Sequence, residues 1–410
     1  MGALRALRAL PVQGSLRFDD PLDRSLSCDV STIWSAFAIT APGIAPVTAA
    51  ELTALGIPHE VPTADGVAFS ADYRTIALAN LWLRTASRVI VRLGEFKAQG
   101  FAELEKGAAK LPWFQVLLPG QAVAMRVTCR KSRLYHSDAV AERVVRQIAK
   151  HFGVDVPVVR LTDSDDEDAP TDEAQRILVR IVNDIVTVSA DTSGELLHRR
   201  GYRQAVAKAP LRETVAAACL LATDYDGTQP FIDPMCGSGT FPIEAAMIAR
   251  QQAPGRARPF AFEHWPGADR DVLPGLRRAT KAAGIDVAEL PIIGSDRDPG
   301  AIRMSTENAE RAGVSAMVSF EQTTLDALEP PAEFGAWCSN APYGRRVGNA
   351  DALTGLFVQI GKLARGAFSE WRVALLMAEQ SHVKALQSPV TEILHTRVGG
   401  IQVGFYGIEV

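Results

Sequence analysis

A short segment, Ser339 to Tyr343, combines an amide side chain, a proline and an aromatic ring directly after a run of apolar residues. Asn340 offers a side-chain carbonyl oxygen, and the backbone carbonyl of Ala341 offers a second acceptor beside it. Such a pair can hold both N–H groups of an exocyclic base amine, whose lone pair is otherwise delocalised into the ring. Pro342 fixes φ, and Tyr343 provides a face on which an extracted base can stack. The segment therefore predicts chemistry at an amine nitrogen, with an ordinary turn as the alternative.

A glycine-rich sequence within Phe231 to Ala249 is typical of a strand, a tight turn and a helix. Glycines let the backbone approach a ligand closely, and free N–H groups at the start of a helix favour an anion such as a cofactor carboxylate. The spacing D-x-x-x-G-x-G-T differs from that of dinucleotide-binding and phosphate-binding loops, and no lysine is available for a triphosphate. The predicted cofactor-binding residues of this loop are Asp233, Pro234, Met235, Cys236, Gly237, Ser238, Gly239 and Thr240.

Two further acids follow later strands of the same half. Asp296 comes after the strand Pro291 to Ser295 and is expected to accept bonds from ribose hydroxyls, whereas Asp298 is expected to cap the next helix. Asp326, after a third strand, is the candidate contact for an adenine amine. The carboxyl ends of parallel strands meet at one edge of a sheet. We therefore expect these acids, the glycine-rich loop and Asn340 at the same edge, which favours a catalytic role for Asn340 over a simple turn.

Composition excludes several classes of protein. The chain has 410 residues with 47% hydrophobic and 22% charged residues, a net charge of −4 and a pI near 6.0, as expected of a globular protein. No apolar run is long enough to span a membrane. The five cysteines form no C-x-x-C pair, so we expect neither a disulfide framework nor a metal site. The same cysteine content favours a reducing, cytoplasmic location. The cysteines are Cys28, Cys129, Cys219, Cys236 and Cys338.

Cysteine chemistry on a pyrimidine ring is a competing idea for the same site. Cys338 lies two residues before Asn340, within the strand, and Cys236 lies in the glycine-rich loop. Both are more typical of small buried hydrophobic residues than of nucleophiles. His264 and His382 are isolated in the sequence and are interpreted as non-catalytic.

The order of elements predicts four segments. Residues 1–32 form an N-terminal extension that is expected to be poorly ordered, with a transit peptide as the alternative. Residues 33–190 alternate short strands and helices, which favours an α+β domain, with a hairpin at Asn183-Asp184. Residues 191–213 form a bridge. Residues 214–410 then alternate strands and helices and close with a hairpin, which predicts a mostly parallel sheet with an antiparallel end.

Three motifs resemble those of one known family, the THUMP-domain RNA methyltransferases. They are Leu197 to Arg203, Ala209 to Thr214, and Asp233 to Thr240 continuing through Glu244-Ala245-Ala246. The chain is most similar to bacterial enzymes that make N2-methylguanosine in 23S ribosomal RNA, and to related tRNA guanine-N2 methyltransferases. The resemblance runs from about Phe37 to near the C-terminus.

This resemblance implies a fold, a cofactor and a partner. It implies a small ferredoxin-like portion, a THUMP domain over about residues 76–190, and a Rossmann-like class I methyltransferase domain with a mostly parallel seven-stranded sheet. It also implies S-adenosyl-L-methionine as the cofactor, and structured ribosomal or transfer RNA as the partner, with no membrane partner. The expected reaction is methyl transfer to the exocyclic N2 of a guanine.

A basic stretch suits the RNA-binding face that the resemblance implies. Seven Lys or Arg residues and two acids lie between Met125 and His151, and more cations lie in the bridge; a solvated helix face is the alternative. Residues 163–173 hold seven acids and no base, which is typical of a solvated loop. The predicted RNA-binding residues are Arg126, Arg130, Lys131, Arg133, Arg199, Arg200 and Arg203.

Two departures from the family pattern keep alternatives open. Ala341 stands where the family usually has proline, and Thr324 stands where an acid usually follows the third strand. One alternative is an adenine-N6 methyltransferase acting on RNA or DNA, because the same acceptor pair serves that amine. The other is a non-catalytic RNA-binding or assembly factor derived from such an enzyme.

Overall fold

The computed structural model describes residues 32–159, 174–203, 211–283, 290–342, 350–378 and 380–409. Almost all of the predicted extension 1–32, and Tyr343, lie outside this set. No helix among the described residues is long and apolar enough to cross a membrane.

The N-terminal half is built on a single seven-stranded sheet in the order β2-β1-β3-β7-β6-β4-β5. Strand β4 runs parallel to β5 and β6, and every other neighbouring pair is antiparallel. Its elements are β1 (Trp34–Thr40), α1 (Ala45–Ala54), β2 (Gly66–Ala71), α2 (Tyr73–Trp82), β3 (Ala86–Lys97), α3 (Phe101–Ala108), β4 (Ala122–Arg130), α4 (Ser137–Phe152), β5 (Val158–Val159), β6 (Ala174–Val182) and β7 (Ile185–Asp191).

Alternating side chains bury one face of this sheet under the helices. Val89 and Val91 of β3 share one core with Val140 and Val144 of α4, as the period of 2 in strands and of 3.6 in helices requires. The β6–β7 hairpin turns at Asn183-Asp184, whose φ angles are +51° and +65°. Both residue types tolerate such angles, so the predicted hairpin is confirmed.

The C-terminal half is a second seven-stranded sheet in the order β10-β9-β8-β11-β12-β14-β13. The first five strands are parallel, and β14 pairs antiparallel with β12 and β13. The elements are α5 (Glu213–Ala222), β8 (Phe231–Asp233), α6 (Thr240–Ala249), α7 (Val272–Ala283), β9 (Ile292–Asp296), α8 (Pro299–Ala312), β10 (Val318–Gln322), β11 (Gly335–Asn340), α9 (Ala350–Arg365), β12 (Trp371–Met377), α10 (Gln380–Ala385), β13 (Val390–Val398) and β14 (Ile401–Ile408).

This strand order confirms the predicted mostly parallel sheet with an antiparallel end. The chain proceeds outward from β8 to β9 and β10, then returns to β11 on the other side of β8. The point where the order reverses leaves a crevice outside the carboxyl ends of β8 and β11, which is where ligands bind in open α/β sheets. The glycine-rich loop follows β8, and Asn340 ends β11.

Buried arginines join the two halves. The Arg84 guanidinium, just after α2, donates to the carbonyls of Met247 and Gln252 at 3.2 and 2.8 Å, close to the end of α6. A cation at that end of a helix satisfies free carbonyls and complements the helix dipole. The Arg258 guanidinium similarly donates to the carbonyls of Leu196 and Glu195, both at 2.6 Å. The N-terminal half is therefore anchored at the end of α6 opposite to the glycine-rich loop.

Candidate active site

The glycine-rich loop folds tightly at the carboxyl end of β8. Gly237 and Gly239 have φ angles of +52° and +79°, a region that favours glycine. A Cβ atom added at Gly239 would lie 2.7 Å from the Cβ of Ser305, so only glycine fits there. The Asn308 side chain of α8 donates to the carbonyl of Ser238 at 3.0 Å and fixes the outer wall of the loop. The shape of the loop is therefore set by contacts within the protein.

Asp296 lies beside this loop, as the sequence predicts. One carboxylate oxygen accepts the backbone N–H of Gly237 at 3.0 Å, and the other accepts the backbone N–H of Asp298 at 3.0 Å. The Asp298 side chain in turn accepts from the backbone N–H of Gly300 and caps α8, so the predicted cap is observed, whereas the ribose contact of Asp296 stays a prediction. Asp296 is only half-buried, which leaves carboxylate surface available at the crevice.

Asp233 connects the loop to the catalytic segment. Its side chain is buried, and one carboxylate oxygen accepts the Ser339 hydroxyl at 2.6 Å and the backbone N–H of Met235 at 3.1 Å. The Ser339 hydroxyl also accepts the indole N–H of Trp337 at 3.0 Å. Burial raises the pKa of Asp233 to about 7, although both hydrogen bonds oppose that change. Through these hydrogen bonds Asp233 links β8 to β11 and fixes the loop after β8 relative to the catalytic segment.

The Ser339 contact was not predicted from sequence. One signal was present: Ser339 is the single hydroxyl in a strand of otherwise apolar, buried residues from Ala336 to Cys338. A buried hydroxyl needs a partner. Which group supplies it depends on the pairing of β11 with β8, and that pairing is visible only in the fold.

Asn340 presents an unsatisfied acceptor at the edge of the crevice. Its side-chain oxygen is buried and accepts no hydrogen bond from any residue that the structure describes. A buried acceptor without a partner costs about 1–3 kcal/mol, so such atoms usually mark a place where a ligand or water completes the site. Ala341 is buried and Pro342 half-buried directly after it. The arrangement fits an incoming N–H donor, as the chemistry of a base amine requires.

Asp326 contacts helix α9. It lies in a single 3₁₀ turn after β10, is exposed, and accepts a hydrogen bond from the Gln359 side chain of α9 at 2.6 Å. Within the described residues no hydrogen bond joins it to the glycine-rich loop. Its contact with adenine stays a prediction, as does the effect of Thr324 two residues earlier.

The two cysteines at the site have the properties of packing residues. Cys236 and Cys338 are both buried. Burial raises the pKa of the Cys236 thiol far above its ordinary value and that of Cys338 to about 12. A thiol is nucleophilic only as the thiolate. The geometry therefore disfavours the cysteine alternative and leaves Asn340 as the central group.

The predicted RNA-binding residues fall into two groups, one on β4 and in the loop after it, and one in the bridge of residues 191–213. Arg130, Lys131 and Arg133 are exposed at the end of β4 and in the loop after it, and Arg126 is half-buried on the same strand. Arg199 is partly exposed and pairs with Glu195 at 3.1 Å.

The structure contradicts the RNA-binding prediction for Arg200. Its side chain is buried and donates to the carbonyls of Leu197 and Arg84, each at 2.5 Å, and lies 3.4 Å from the Glu244 carboxylate of α6. These contacts involve all three guanidinium nitrogens inside the junction between the two halves. A basic run in the bridge therefore contains a structural arginine that RNA cannot reach.

Arg203 is also directed inward. Its guanidinium donates to the hydroxyl of Thr240, at the start of α6, and to the carbonyl of Leu211 at 3.0 Å, and it lies 3.5 Å from Glu213. The predicted RNA contact is therefore replaced by a contact with the glycine-rich loop.

Comparison with known proteins identifies the family. A model described as RMKL-like, methyltransferase domain, matches residues 200–404, a model of the RlmL ferredoxin-like domain matches residues 35–90, and a THUMP model matches residues 98–191. The chain belongs to the RMKL-like methyltransferase family. The predicted family, the methyltransferase fold and its cofactor, S-adenosyl-L-methionine, are thereby confirmed.

Curated relatives cover most of this RMKL-like chain. A Synechocystis protein, whose name places it among RNA methyltransferases, is 32% identical over 85% of this chain and 90% of its own length. The ribosomal RNA large subunit methyltransferases K/L of Syntrophotalea carbinolica and Psychromonas ingrahamii are 36% and 33% identical over 83% and 86% of this chain. The chain spans about half the length of these two enzymes, 48% and 47%.

Solved structures agree with the arrangement of both halves. SMU.472, assigned as a methyltransferase and crystallised with SAH, superposes with a TM-score of 0.81 at 29% identity, over 93% of this chain and 99% of that one. A Listeria monocytogenes protein named as an N6-adenine-specific DNA methylase superposes with a TM-score of 0.79 at 30% identity, over 92% and 96%.

Proposed function

We propose that this RMKL-like methyltransferase transfers a methyl group from S-adenosyl-L-methionine to the exocyclic N2 of a guanine in ribosomal or transfer RNA. The observation that carries the proposal is the side-chain oxygen of Asn340, which is buried at the carboxyl end of β11 and accepts no hydrogen bond from the residues that the structure describes. It stands next to the loop that follows β8, across the point where the strand order reverses. An N–H donor delivered there would meet both the acceptor and the methyl donor.

Several observations support RNA as the substrate. A THUMP domain precedes the catalytic half, and relatives that match over more than four-fifths of this chain are named as RNA or ribosomal RNA methyltransferases. Cations exposed on β4 and after it provide contacts for phosphates. The expected cytoplasmic location is part of the same proposal, because structured RNA and the methyl donor occur together there.

Each group at the site would have a separate role in binding or in methyl transfer. The free backbone N–H groups in the first turn of α6 would hold the cofactor carboxylate, and Asp296 would hold its ribose hydroxyls. The cofactor supplies an electrophilic methyl group. The Asn340 side-chain oxygen and the Ala341 carbonyl would accept the two amine N–H groups and direct the nitrogen lone pair out of the ring plane, and Tyr343 would stack on the base. The amine proton released on methylation passes to solvent.

Substitution of Asn340 tests whether this residue acts in methyl transfer and not in cofactor binding. Asn340→Ala removes the acceptor without touching the cofactor loop, so we expect transfer to RNA to fall by about 100-fold or more while cofactor affinity stays within about twofold. The measurements are transfer of a labelled methyl group and calorimetric titration with the cofactor. Asn308→Ala is the matched control, because it removes an amide that braces Ser238 and should weaken cofactor binding. Equal losses of both quantities in Asn340→Ala would count against the assignment.

Adenine N6 is the second candidate acceptor. The same acceptor pair would hold that amine, and the Listeria neighbour carries the name of an adenine-specific DNA methylase. Labelled nucleosides recovered from total RNA and from DNA after incubation with the protein distinguish the two amines. N2-methylguanosine in RNA supports the proposal, and N6-methyladenine in either nucleic acid replaces it.

A non-catalytic factor is the third candidate, and it rests on Ala341 and Thr324. The Ala341 side chain packs in a buried apolar cluster, and its backbone carbonyl is present whatever the side chain. Cofactor binding without turnover on any cellular RNA would favour this candidate.

A further inference from the structure

Helix α6 begins without a side-chain cap, although its first turn is expected to hold the cofactor carboxylate. Gly239 precedes the helix at a φ of +79° and has no side chain that could bond to the first N–H groups. Those N–H groups are therefore available to an anion. Their direction depends on how Ser238 and Thr240, the residues on either side of Gly239, are held in place.

Thr240 is held by Arg203, which belongs to the bridge of residues 191–213. The Arg203 guanidinium donates through Nη2 to the Thr240 hydroxyl and to the carbonyl of Leu211, the latter at 3.0 Å. Its Nε lies 3.5 Å from the carboxylate of Glu213, the first residue of α5. Thr240 is buried, so its hydroxyl needs a partner inside the protein. Arg203 thus fixes the first residue of α6 against the bridge and α5.

Ser238 is held by a second series of contacts that also begins at the bridge. The backbone carbonyl of Tyr202 accepts from the Arg311 Nε at 2.7 Å, and the Arg311 Nη2 donates to the side-chain oxygen of Asn308 at 2.6 Å. The Asn308 amide then donates to the carbonyl of Ser238 at 3.0 Å. Two consecutive bridge residues therefore brace the loop on both sides of Gly239.

The bridge itself is fixed along α6 and to the N-terminal half. The Tyr202 hydroxyl donates to the Glu244 carboxylate at 3.3 Å, and the Arg200 Nε lies 3.4 Å from the same oxygen. Glu244 comes four residues after Thr240, so both side chains lie on one face of α6. Arg200 also donates to the carbonyl of Arg84 in the N-terminal half at 2.5 Å. The support of the loop is therefore continuous with the docking of the two halves.

The charge of Arg203 is offset where it lies. Its side chain is 12% exposed and that of its neighbour Glu213 is 3% exposed, and a cation so far out of water needs a counter-charge. Because the pair is close to neutral overall, Arg203 acts on a cofactor through the position of Thr240 and not as a free charge.

We propose that Arg203 is a positioning residue for cofactor binding: by holding the Thr240 hydroxyl, it directs the first N–H groups of α6 at the cofactor carboxylate. The inference rests on the proposed role of this turn in holding that carboxylate. Arg203 takes no part in the transfer step, because Asn340 acts at the end of another strand, β11. Loss of Arg203 should therefore lower the affinity for the cofactor more than the rate of methyl transfer at saturating cofactor.

Calorimetric titration of the full chain with SAH, the demethylated form of the cofactor, tests the inference without RNA. We expect Arg203→Ala to weaken SAH binding by about tenfold or more, because a hydrogen bond from a charged donor to a buried hydroxyl is lost. Arg203→Lys keeps the charge but has one donor nitrogen in place of three, so its affinity should lie between the two. This variant keeps the test available if Arg203→Ala does not fold. Wild-type affinity in both variants overturns the inference.

The kinetics of methyl transfer to total RNA provide a second measurement. In Arg203→Ala the KM for the cofactor should rise by about the same factor as the dissociation constant for SAH, and kcat should fall by a smaller factor. A fall in kcat with an unchanged KM would place Arg203 in the transfer step and overturn the inference.

A double-mutant cycle tests whether Arg203 acts through Thr240. Thr240→Val removes the hydroxyl with little change in shape and should also weaken SAH binding. The double variant Arg203→Ala/Thr240→Val should then bind SAH within about threefold of the weaker single variant, because both substitutions remove the same contact. Losses that multiply would show that the two residues act independently, which contradicts the inference, as would unchanged affinity in Thr240→Val.

Arg258→Ala is the matched control for loosening of the bridge. Arg258 is buried, and within the described part of the chain its hydrogen bonds go to carbonyls of residues 193–199, away from the glycine-rich loop. Its replacement should lower the free energy of unfolding but change SAH affinity by less than about twofold. A loss of affinity as large as that of Arg203→Ala would mean that any damage to the bridge has this effect, and the specific role of Arg203 would be refuted.

The proposed function fails on a different measurement. Protein that transfers methyl groups to RNA but binds SAH independently of Arg203 overturns the inference alone. Protein that shows Arg203-dependent binding of SAH but transfers no methyl group to any RNA retains the inference and overturns the reaction.

Discussion

Replacing Asp233 with asparagine removes a charge from the protein interior with almost no change in side-chain shape. The wild-type carboxylate is buried and accepts hydrogen bonds from the Ser339 hydroxyl and the Met235 backbone. An asparagine oxygen can accept both of these bonds. The variant therefore isolates the electrostatic cost of holding this carboxylate out of water.

The size of the effect follows from the pKa. Burial raises the pKa of Asp233 from 3.8 to about 7. Between these values the folded protein keeps the proton that the unfolded chain has lost, so the free energy of unfolding falls as the pH rises. A displacement of this size corresponds to a loss of about 3 kcal/mol between pH 5 and pH 8. The Asp233→Asn variant has no ionisable group at this position, so it does not show this loss of stability.

Urea unfolding at pH 5, 6, 7 and 8 measures the effect. Glu51, Asp191 and Glu213 are also buried with raised pKa values, so both proteins should lose stability as the pH rises. The difference between wild type and Asp233→Asn removes their contribution, and we expect it to move by about 3 kcal/mol in favour of the variant from pH 5 to pH 8. Asp326→Asn, at an exposed position, is the matched control for the loss of one carboxylate. Parallel curves for wild type and Asp233→Asn would refute the reasoning.

Two further substitutions test the frame of the site. Arg200→Ala removes the cation beside the buried Glu244 carboxylate and should lower the free energy of unfolding by about 3–5 kcal/mol. Arg199→Ala, at the surface, should lower it by less than about 1 kcal/mol. Equal effects of the two substitutions in chemical denaturation would argue against a structural role for Arg200. Gly239→Ala forces a Cβ into contact with Ser305 at a positive φ and should weaken cofactor binding by at least about tenfold in calorimetry, and unchanged affinity would show that the loop can relax.

Features with a local signature were predictable from the sequence. The glycine spacing of the Asp233 loop specifies a turn that only glycines can make, and the structure places Gly237 and Gly239 at positive φ. Asn183-Asp184 likewise specifies a tight hairpin. The parallel order of the second sheet follows from alternating strands and helices, since short connections leave few other topologies. In each case the physical cause lies within a few residues of the feature.

Features that depend on distant packing were not predictable. Arg200 belongs to a basic run that resembles an RNA-binding surface, but its partner Arg84 lies 116 residues away, and burial of the pair depends on how two domains dock. The Ser339 hydroxyl and Asp233 are 106 residues apart. A run of cations has the same sequence pattern whether it is solvated or buried. The fold alone separates Arg200 from Arg130 and Arg133.

The pairing of β3 with β7 has a consequence for how this protein can be cut and recombined. The ferredoxin-like match ends at residue 90 and the THUMP match begins at residue 98, yet β3 spans residues 86 to 97 and hydrogen-bonds along β7 from Ile185 to Asp191. A fragment that starts at residue 98 would strip β7 of its neighbour and leave an open edge prone to pair with other chains. A transplant of this N-terminal half onto another enzyme should therefore begin at β1, because the boundary between the two family matches falls inside β3.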